Sequence, residues 1–356
     1  MGVPALHDDK QWPYVLTLLP SDLEESAKQT GAVVRCRNIP NAAGLLRMAL
    51  AYGVSDLSLK DVAAWAHAVG LAEISGPGLF YRLRMAEGWL ERVLAVTVQD
   101  TLGPAPQGVR LRVVDATVIN GPASIGTDWR AHVLTDPASG GFRSVEITDN
   151  QGGEGYARHA VRAGEVVLGD RVYGTARGIH AVRSAHSQVV VRINPQIIRL
   201  CNLNRERLDL SKYRRKAPKV GVVEWEILVP IPPDRRPKNS RKTWRLSKAK
   251  DWVPARIVAA RTRQGHIIWV LTTVPATEMS AVQVLELYRL RWHIELLFKR
   301  LKSLLHLDHL PSRQGPTAKS WMLARLLAAA LAHRLVQPSG PLSPWGYQLR
   351  SAGLHA

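Results

Sequence analysis

Three acidic residues lie in sequence contexts that would aim them into one site. Asp115 falls inside residues 108–120 (GVRLRVVDATVIN), whose alternation predicts a strand. Asp170 follows a short buried strand predicted at residues 166–168, and Glu295 lies in a long helical segment. Carboxylates are preferred Mg²⁺ ligands, and two such ions could activate a nucleophile and stabilise the leaving oxygen of a phosphoryl displacement. Taken singly, each acid has an alternative as an ordinary turn, edge or surface residue.

The helical segment, residues 285–305 (LELYRLRWHIELLFKRLKSLL), contains neither Gly nor Pro, so we predict one continuous helix of about five turns. One stripe is apolar and predicts docking against a core; it comprises Leu287, Leu290, Ile294, Leu297, Phe298, Leu301 and Leu305. A second stripe comprises Tyr288, Arg291, Glu295, Lys299 and Lys302. Glu295 and Lys299 also have the i,i+4 spacing of an ordinary surface pair, so a solvated helix face remains an alternative.

The elements between the acids predict how they are positioned. Strands are expected at residues 129–135 and 142–148, a helical segment at 155–163, a helix at 176–185 and a strand at 188–193. With the strands that carry the two aspartates, the order is β-β-β-α-β-α-β. It matches a ribonuclease H-like α/β (α+β) core, in which carboxylates on the first and fourth strands bind metal.

The remaining sequence divides into regions of different composition. We expect five: an N-terminal helical region, a first core part, a β-rich insertion, a core completion with the acidic helix, and a loose tail, at residues 1–102, 103–194, 195–275, 276–336 and 337–356. A Pro/Gly linker at 103–108 separates the first two, and a basic run at 235–250 interrupts the insertion.

The secondary structure of these outer regions follows capping and periodicity signals. Helices are predicted at residues 21–31, 42–52, 58–69, 78–98 and 318–336, and insertion strands at 220–230, 255–261 and 267–274. Ser21 and Glu24 have capping-box spacing at the start of the first helix, Asn41 is the predicted cap of the second, and Ser58 with Asp61 caps the third. The N-terminal helices could form a helix-turn-helix that reads DNA or a small bundle without groove contacts.

Charge and cysteine content restrict the function classes. The 356 residues carry a formal charge of +19 with a pI near 10.4, which favours a polyanionic partner such as a phosphate backbone. No apolar run is long enough to span a bilayer, and no signal peptide is recognised. Cys36 and Cys201 are too few for a disulfide framework or a cysteine zinc site. These features predict an intracellular, reduced protein without a membrane partner.

The second stripe carries a family resemblance. The pattern Tyr288-x2-Arg291-x3-Glu295-x6-Lys302 resembles the Y-x2-R-x3-E-x6-K signature of the DDE transposases of the insertion-sequence-four family, which includes the Tn-five transposase. The sequences VVDAT around the first Asp and LGDRVYG around the second resemble the same family. The resemblance covers residues 113–335 and includes the β insertion.

The resemblance implies roles for individual residues. Asp115, Asp170 and Glu295 would be the catalytic triad and bind two Mg²⁺ ions, with Mn²⁺ as a substitute. Tyr288, Arg291 and Lys302 would hold phosphates near the cleaved end, and Lys299 shares their face. Trp269 resembles the insertion-domain Trp that stacks on a flipped base, although a core Trp in a buried strand is the alternative. Arg171 and Tyr173 would contact the DNA backbone or pack locally.

The resemblance also implies the activity. The expected function is that of a DNA transposase of a bacterial insertion sequence, acting near the nucleoid in the cytoplasm. It would bind terminal inverted repeats and target DNA, assemble as a homodimer in the synaptic complex, and excise its element by cut-and-paste through a hairpin intermediate. Two alternatives stay open: a ribonuclease H-like nuclease without strand transfer, and a DNA-binding derivative that has lost catalysis.

Overall fold

The computed structural model describes residues 11–34, 38–55, 57–99, 110–137, 139–194, 198–210, 221–233, 245–262, 265–308, 310–311 and 315–336. Four expectations from the sequence lie outside these residues: the linker at 103–108, Cys36, the part of the basic run at 235–244, and the tail at 337–356.

One mixed sheet organises the described chain. Its eight strands lie in the order β3-β2-β1-β4-β5-β8-β7-β6. In chain order, β1 to β8 are Arg110–Ile119, Trp129–Thr135, Phe142–Asp149, Glu165–Gly169, Gln188–Arg192, Val222–Ile231, Asp251–Arg261 and Ile267–Thr272. The first three strands pair antiparallel, whereas β1, β4 and β5 pair parallel. The order 3-2-1-4-5 confirms the predicted ribonuclease H-like core.

In residues 195–275, where the sequence predicts a β-rich insertion, the three described strands continue this sheet. Strand β8 pairs antiparallel with β5, with Val190 opposite Thr272, and β7 and β6 follow by antiparallel pairing. The insertion therefore covers what would otherwise be the β5 edge, which would leave unpaired backbone groups exposed.

The prediction of a helical segment at residues 155–163 is wrong. The chain forms only a short 3₁₀ turn, Tyr156–Arg158, between β3 and β4. Gly152, Gly153 and Gly155 precede it, and glycine has a high entropic cost in a helix. The turn buries Tyr156 against α7, Ala176–Ser184, which follows β4.

Within the described part of residues 11–99, six helices precede the sheet. In order, α1 to α6 are Trp12–Thr17, Leu23–Gln29, Ala42–Val54, Leu59–Ala68, Gly76–Met85 and Glu87–Gln99. The predicted caps of α3 and α4 are confirmed: Asn41 accepts from Gly44 N at 2.7 Å, and Ser58 forms a capping box with Asp61. The helix predicted at 78–98 is instead two helices separated at Ala86, the C-cap of α5.

The predicted capping box at the start of α2 is wrong. Asp22, rather than Ser21, is the N-cap residue, and its side chain makes no cap hydrogen bond. Glu24 does not fold back onto its own helix; its carboxylate accepts hydrogen bonds from Ala42 N and Ala43 N at the start of α3. The carboxylate thus lies at the positive end of α3, where negative charge is stabilising.

The last helix of the described residues, α10 (Pro316–Val336), packs against α3, α5 and α6. The approach to α3 is close, since a Cβ added at Gly53 would lie 2.8 Å from Ala324 Cβ. Helices far apart in the sequence therefore share one core. In the described ranges, no helix combines the length and apolar character needed to cross a membrane.

Candidate active site

Asp115 lies on β1, and Asp170 directly follows the neighbouring strand β4. Parallel pairing sets Val113 opposite Leu168, so each aspartate stands two residues further along its strand direction. Asp170 is the N-cap of a 3₁₀ turn that directly follows β4. Burial raises the pKa of Asp115 to about 6, and the charges of Glu154 and Asp170 add to this effect, against the Ala116 amide and Arg291.

Two helices close over this part of the sheet: α8, Ala281–Arg289, and α9, Trp292–Leu305. The prediction of one continuous helix is wrong, because a turn separates them at residues 290–291. There the amides of Leu290, Arg291 and Ile294 bond three residues back, to Leu287 O, Tyr288 O and Arg291 O, instead of four.

The apolar stripe of the predicted helix is confirmed. Ile294, Phe298 and Leu301 are buried in the main core, and Leu287, Leu290, Leu297 and Leu305 pack against it. This docking brings α9 onto β1 and leaves Glu295 on the face beside the apolar stripe, where its side chain is 56% exposed.

Arg291 connects the helix to the first aspartate. Its Nη2 lies 2.5 Å from Glu295 Oε1, and its Nη1 lies 3.7 Å from Asp115 Oδ2. The guanidinium is half-buried and lies 6.0 Å from the Tyr288 ring centroid. Desolvation raises the pKa of Tyr288 to about 12, with Arg291 opposing the shift, so the phenol stays protonated at neutral pH.

The two lysines of the stripe lie further along α9. Lys299 is exposed and Lys302 is half-buried. Both lysines and Glu295 line one open groove. The other lining residues are Phe298, Ser303, His306 and Asp308. The groove therefore carries cations beside the acid, as the helical spacing predicts.

The other sequence-predicted residues differ in accessibility. Arg171 is exposed directly after Asp170. Tyr173 is 1% exposed, and Trp269 is 9% exposed with its ring 6.2 Å from that of Trp225. A direct DNA contact by either aromatic residue does not agree with these positions, because each ring is already packed in the core behind the sheet. For Trp269 the alternative of a core residue is the one observed.

A fourth acid, Glu154, is a residue that the sequence did not indicate. It pairs with Arg130 at 3.5 Å, and its charge interacts with both Asp115 and Asp170. Burial raises its pKa. Its glycine-rich context gives no signal of function, and only the three-dimensional fold brings this loop to the aspartates.

The donor chemistry of the site fits a divalent cation only in part. Asp115 and Asp170 supply adjacent oxygen ligands of the kind that Mg²⁺ prefers. However, no three Asp, Glu, His or Cys side chains in the described chain converge closely enough to hold a metal together. The expected convergence of all three acids is absent from this conformation, and the ion pair with Arg291 holds Glu295.

Comparison with known proteins agrees with this geometry. Residues 106–331 match the family described as transposase DDE domain. The chain is 35% identical over 373 residues to the InsL proteins of insertion sequence elements IS186A and IS186B of Escherichia coli K12, with 98% of each chain covered. It is also 35% identical over 374 residues to the transposase of IS421 from Escherichia coli, with 98% of each chain covered.

Among solved structures, a piggyBac transposase synaptic complex with hairpin DNA is similar with a TM-score of 0.46 and 8% identity, over 96% of this chain and 85% of that one. The fold assignment rests on the strand order instead. The matched family region contains all eight strands and the three predicted acids, and the relatives align over nearly the whole chain. This chain therefore belongs to the family of DDE-domain transposases.

Proposed function

We propose that this transposase cleaves DNA at the terminal inverted repeats of a bacterial insertion sequence and joins the freed 3′ ends to target DNA. One observation carries the proposal: the parallel pairing of β1 and β4 sets Asp115 beside Asp170, and Arg291 links Glu295 to the same place. A partly buried acid pair beside a cationic helix face suits chemistry on a phosphodiester.

Asp115 and Asp170 would hold the cation, Mg²⁺ with Mn²⁺ as a substitute and two ions in the complete site. Glu295 would join them once Arg291 releases it. The bound cation would activate the attacking oxygen and neutralise charge on the leaving oxygen. Asp115 lies on a strand, Asp170 directly follows one, and Glu295 lies on a docked helix, so regular elements orient the donors.

The cations around the acids would hold the DNA. Arg291 has a planar guanidinium suited to a phosphate. If the guanidinium exchanged its ion pair with Glu295 for one with a DNA phosphate, Glu295 would be free. Tyr288 would donate a hydrogen bond from its phenol to the same phosphate region. Lys299 and Lys302 would contact the DNA phosphate backbone along the α9 groove. Arg171 would contact it beside Asp170.

Finer assignments follow from the sequence signature. The Tyr-Arg-Glu-Lys spacing supports membership of the insertion-sequence-four branch, excision by cut-and-paste through a hairpin, and action as a homodimer at the nucleoid. The N-terminal helical region, residues 1–102, would contribute to end binding. Trp269 and Tyr173 are not assigned DNA contacts, because both are buried.

The test is cleavage of labelled duplexes that carry the ends of the insertion sequence, in Mg²⁺. Asp115→Asn and Asp170→Asn should abolish cleavage and retain end binding, because each removes a ligand charge without changing shape. Asp149→Asn, at an exposed position on β3, is the matched control. Wild-type cleavage by both active-site variants would refute the proposal. Joined products on target DNA distinguish a transposase from a nuclease.

A further inference from the structure

Two tyrosines lie together behind the aspartates. Tyr156 belongs to the 3₁₀ turn after β3, and Tyr173 ends the turn that begins at Asp170. They are 2% and 1% exposed, and their ring centroids are 5.2 Å apart with an interplanar angle of 55°. The two residues form a packed pair between the β3 loop and the end of β4.

Neither hydroxyl has a hydrogen-bond partner within the described structure. Leaving a buried hydroxyl unpaired costs about 1–3 kcal/mol, and buried polar side chains are nearly always paired. Phenylalanine would fill the same space without this cost. Two adjacent unpaired hydroxyls therefore indicate that their partners are groups that move into range.

The local backbone is shaped around the Tyr156 hydroxyl. A Cβ added at Gly169 would lie 2.4 Å from Tyr156 Oη and 2.9 Å from Tyr173 Cβ. Only glycine admits this approach, so the hydroxyl lies against the residue that immediately precedes Asp170. The sequence Gly169-Asp170 thus combines a close contact with an active-site acid.

The acids of the site are among the electrostatic neighbours of the pair, together with Tyr288, Arg130 and Arg158. Tyr156 interacts with the charge of Asp170, and Tyr173 with those of Glu154 and Asp115. Burial raises the pKa of both phenols far above neutrality, so both hydroxyls remain protonated and act as hydrogen-bond donors. Donors behind carboxylates restrict the orientations that the carboxylate oxygens adopt.

We propose that Tyr156 and Tyr173 are positioning residues, whose hydroxyls donate hydrogen bonds to Asp170 and to the Asp115–Glu154 side of the site when these carboxylates turn to bind a divalent cation. The inference rests on the proposed metal-binding role of the aspartates. It adds an outer layer of donors that fixes the inner oxygen ligands, as hydrogen-bonded partners do around other metal sites.

The test is Mn²⁺ titration of the full-length protein by calorimetry, without DNA. Tyr156→Phe and Tyr173→Phe should each weaken Mn²⁺ binding about tenfold, the usual scale for losing such a partner. Their free energy of unfolding without metal should be unchanged or higher, since each variant removes an unpaired buried hydroxyl. Tyr52→Phe removes a hydroxyl from a buried tyrosine of α3 and is the matched control.

The outcomes separate this inference from the proposed function. Binding that is lost in Asp115→Asn but stays within twofold of wild type in both Phe variants would overturn the positioning role alone. Wild-type protein that binds no Mn²⁺ would overturn both. Weaker binding in the Phe variants together with loss of folding stability would indicate a structural role and also refute the inference.

Discussion

The guanidinium of Arg291 lies 3.7 Å from the carboxylate of Asp115 while it pairs with Glu295 at 2.5 Å. One cation thus joins the strand that carries the first acid to the helix that carries the third. A metal ion and this guanidinium would compete for the same negative charges, and a DNA phosphate would compete with the carboxylates for the guanidinium.

Removing this cation should therefore strengthen metal binding in the absence of DNA. Arg291→Gln should raise Mn²⁺ affinity about fivefold, because a nearby positive charge that repels the metal is worth about 1 kcal/mol at a partly buried site. Calorimetric titration measures the change. Arg289→Gln, at an exposed position on α8, is the control. Unchanged or weaker binding in Arg291→Gln would show that the arginine does not compete with metal.

The contact at Gly169 predicts a stability defect. Gly169→Ala should destabilise the fold by about 1–3 kcal/mol, because the new methyl group would meet the Tyr156 hydroxyl and the Tyr173 side chain. Urea unfolding gives the free energy. Adding Tyr156→Phe should restore part of it by removing the closest atom. Gly153→Ala is the control, since a Cβ there has no neighbour within 4 Å. Equal stability of the two alanine variants would contradict the packing described.

The buried His132 predicts a pH-dependent stability. Burial lowers its pKa from 6.5 to about 4, and Arg158 adds to this effect. Between these values the unfolded chain binds a proton that the folded chain does not. Stability that is fully present above pH 6.5 is therefore lost as pH falls towards 4.

The variant His132→Gln should lack this part of the pH dependence. Between pH 7 and pH 4, the wild type should lose about 2–3 kcal/mol more unfolding free energy than the variant. Chemical denaturation at each pH measures the difference, and His266→Gln at an exposed position is the control. Parallel pH profiles for the wild type and His132→Gln would mean that this residue titrates alike in both states.

Local sequence patterns predicted the sheet well. Alternation of apolar and polar residues predicts β1 to β3, and the short apolar stretch before Asp170 predicts β4. These patterns are local, because burial of one strand face, or of both, fixes which successive residues are apolar. The helical spacing of apolar residues likewise predicts the buried face of α9. The pairing that places Asp115 beside Asp170 followed from recognising the order of elements, since no local pattern specifies which strands become neighbours.

Other features depend on contacts between distant residues. The turn between α8 and α9 replaces a continuous helix although its sequence contains neither Gly nor Pro. The approach of Glu154 to the aspartates, and the unpaired hydroxyls beside Gly169, arise from loops folded against the sheet. Burial of Trp269 follows from β8 continuing the sheet, which encloses a side chain that the sequence could equally expose.

The central claim is that α9 delivers a third catalytic acid, and a paired substitution on the two adjoining helices tests it most directly. Glu295→Gln and Glu286→Gln each neutralise one exposed glutamate, but only Glu295 is linked through Arg291 to Asp115. In a Mg²⁺-dependent assay of end cleavage, Glu295→Gln should reduce the rate at least about a thousandfold, equivalent to about 4 kcal/mol of transition-state stabilisation, with end binding retained. Glu286→Gln should cleave like the wild type. Cleavage by Glu295→Gln at the wild-type rate would contradict the account.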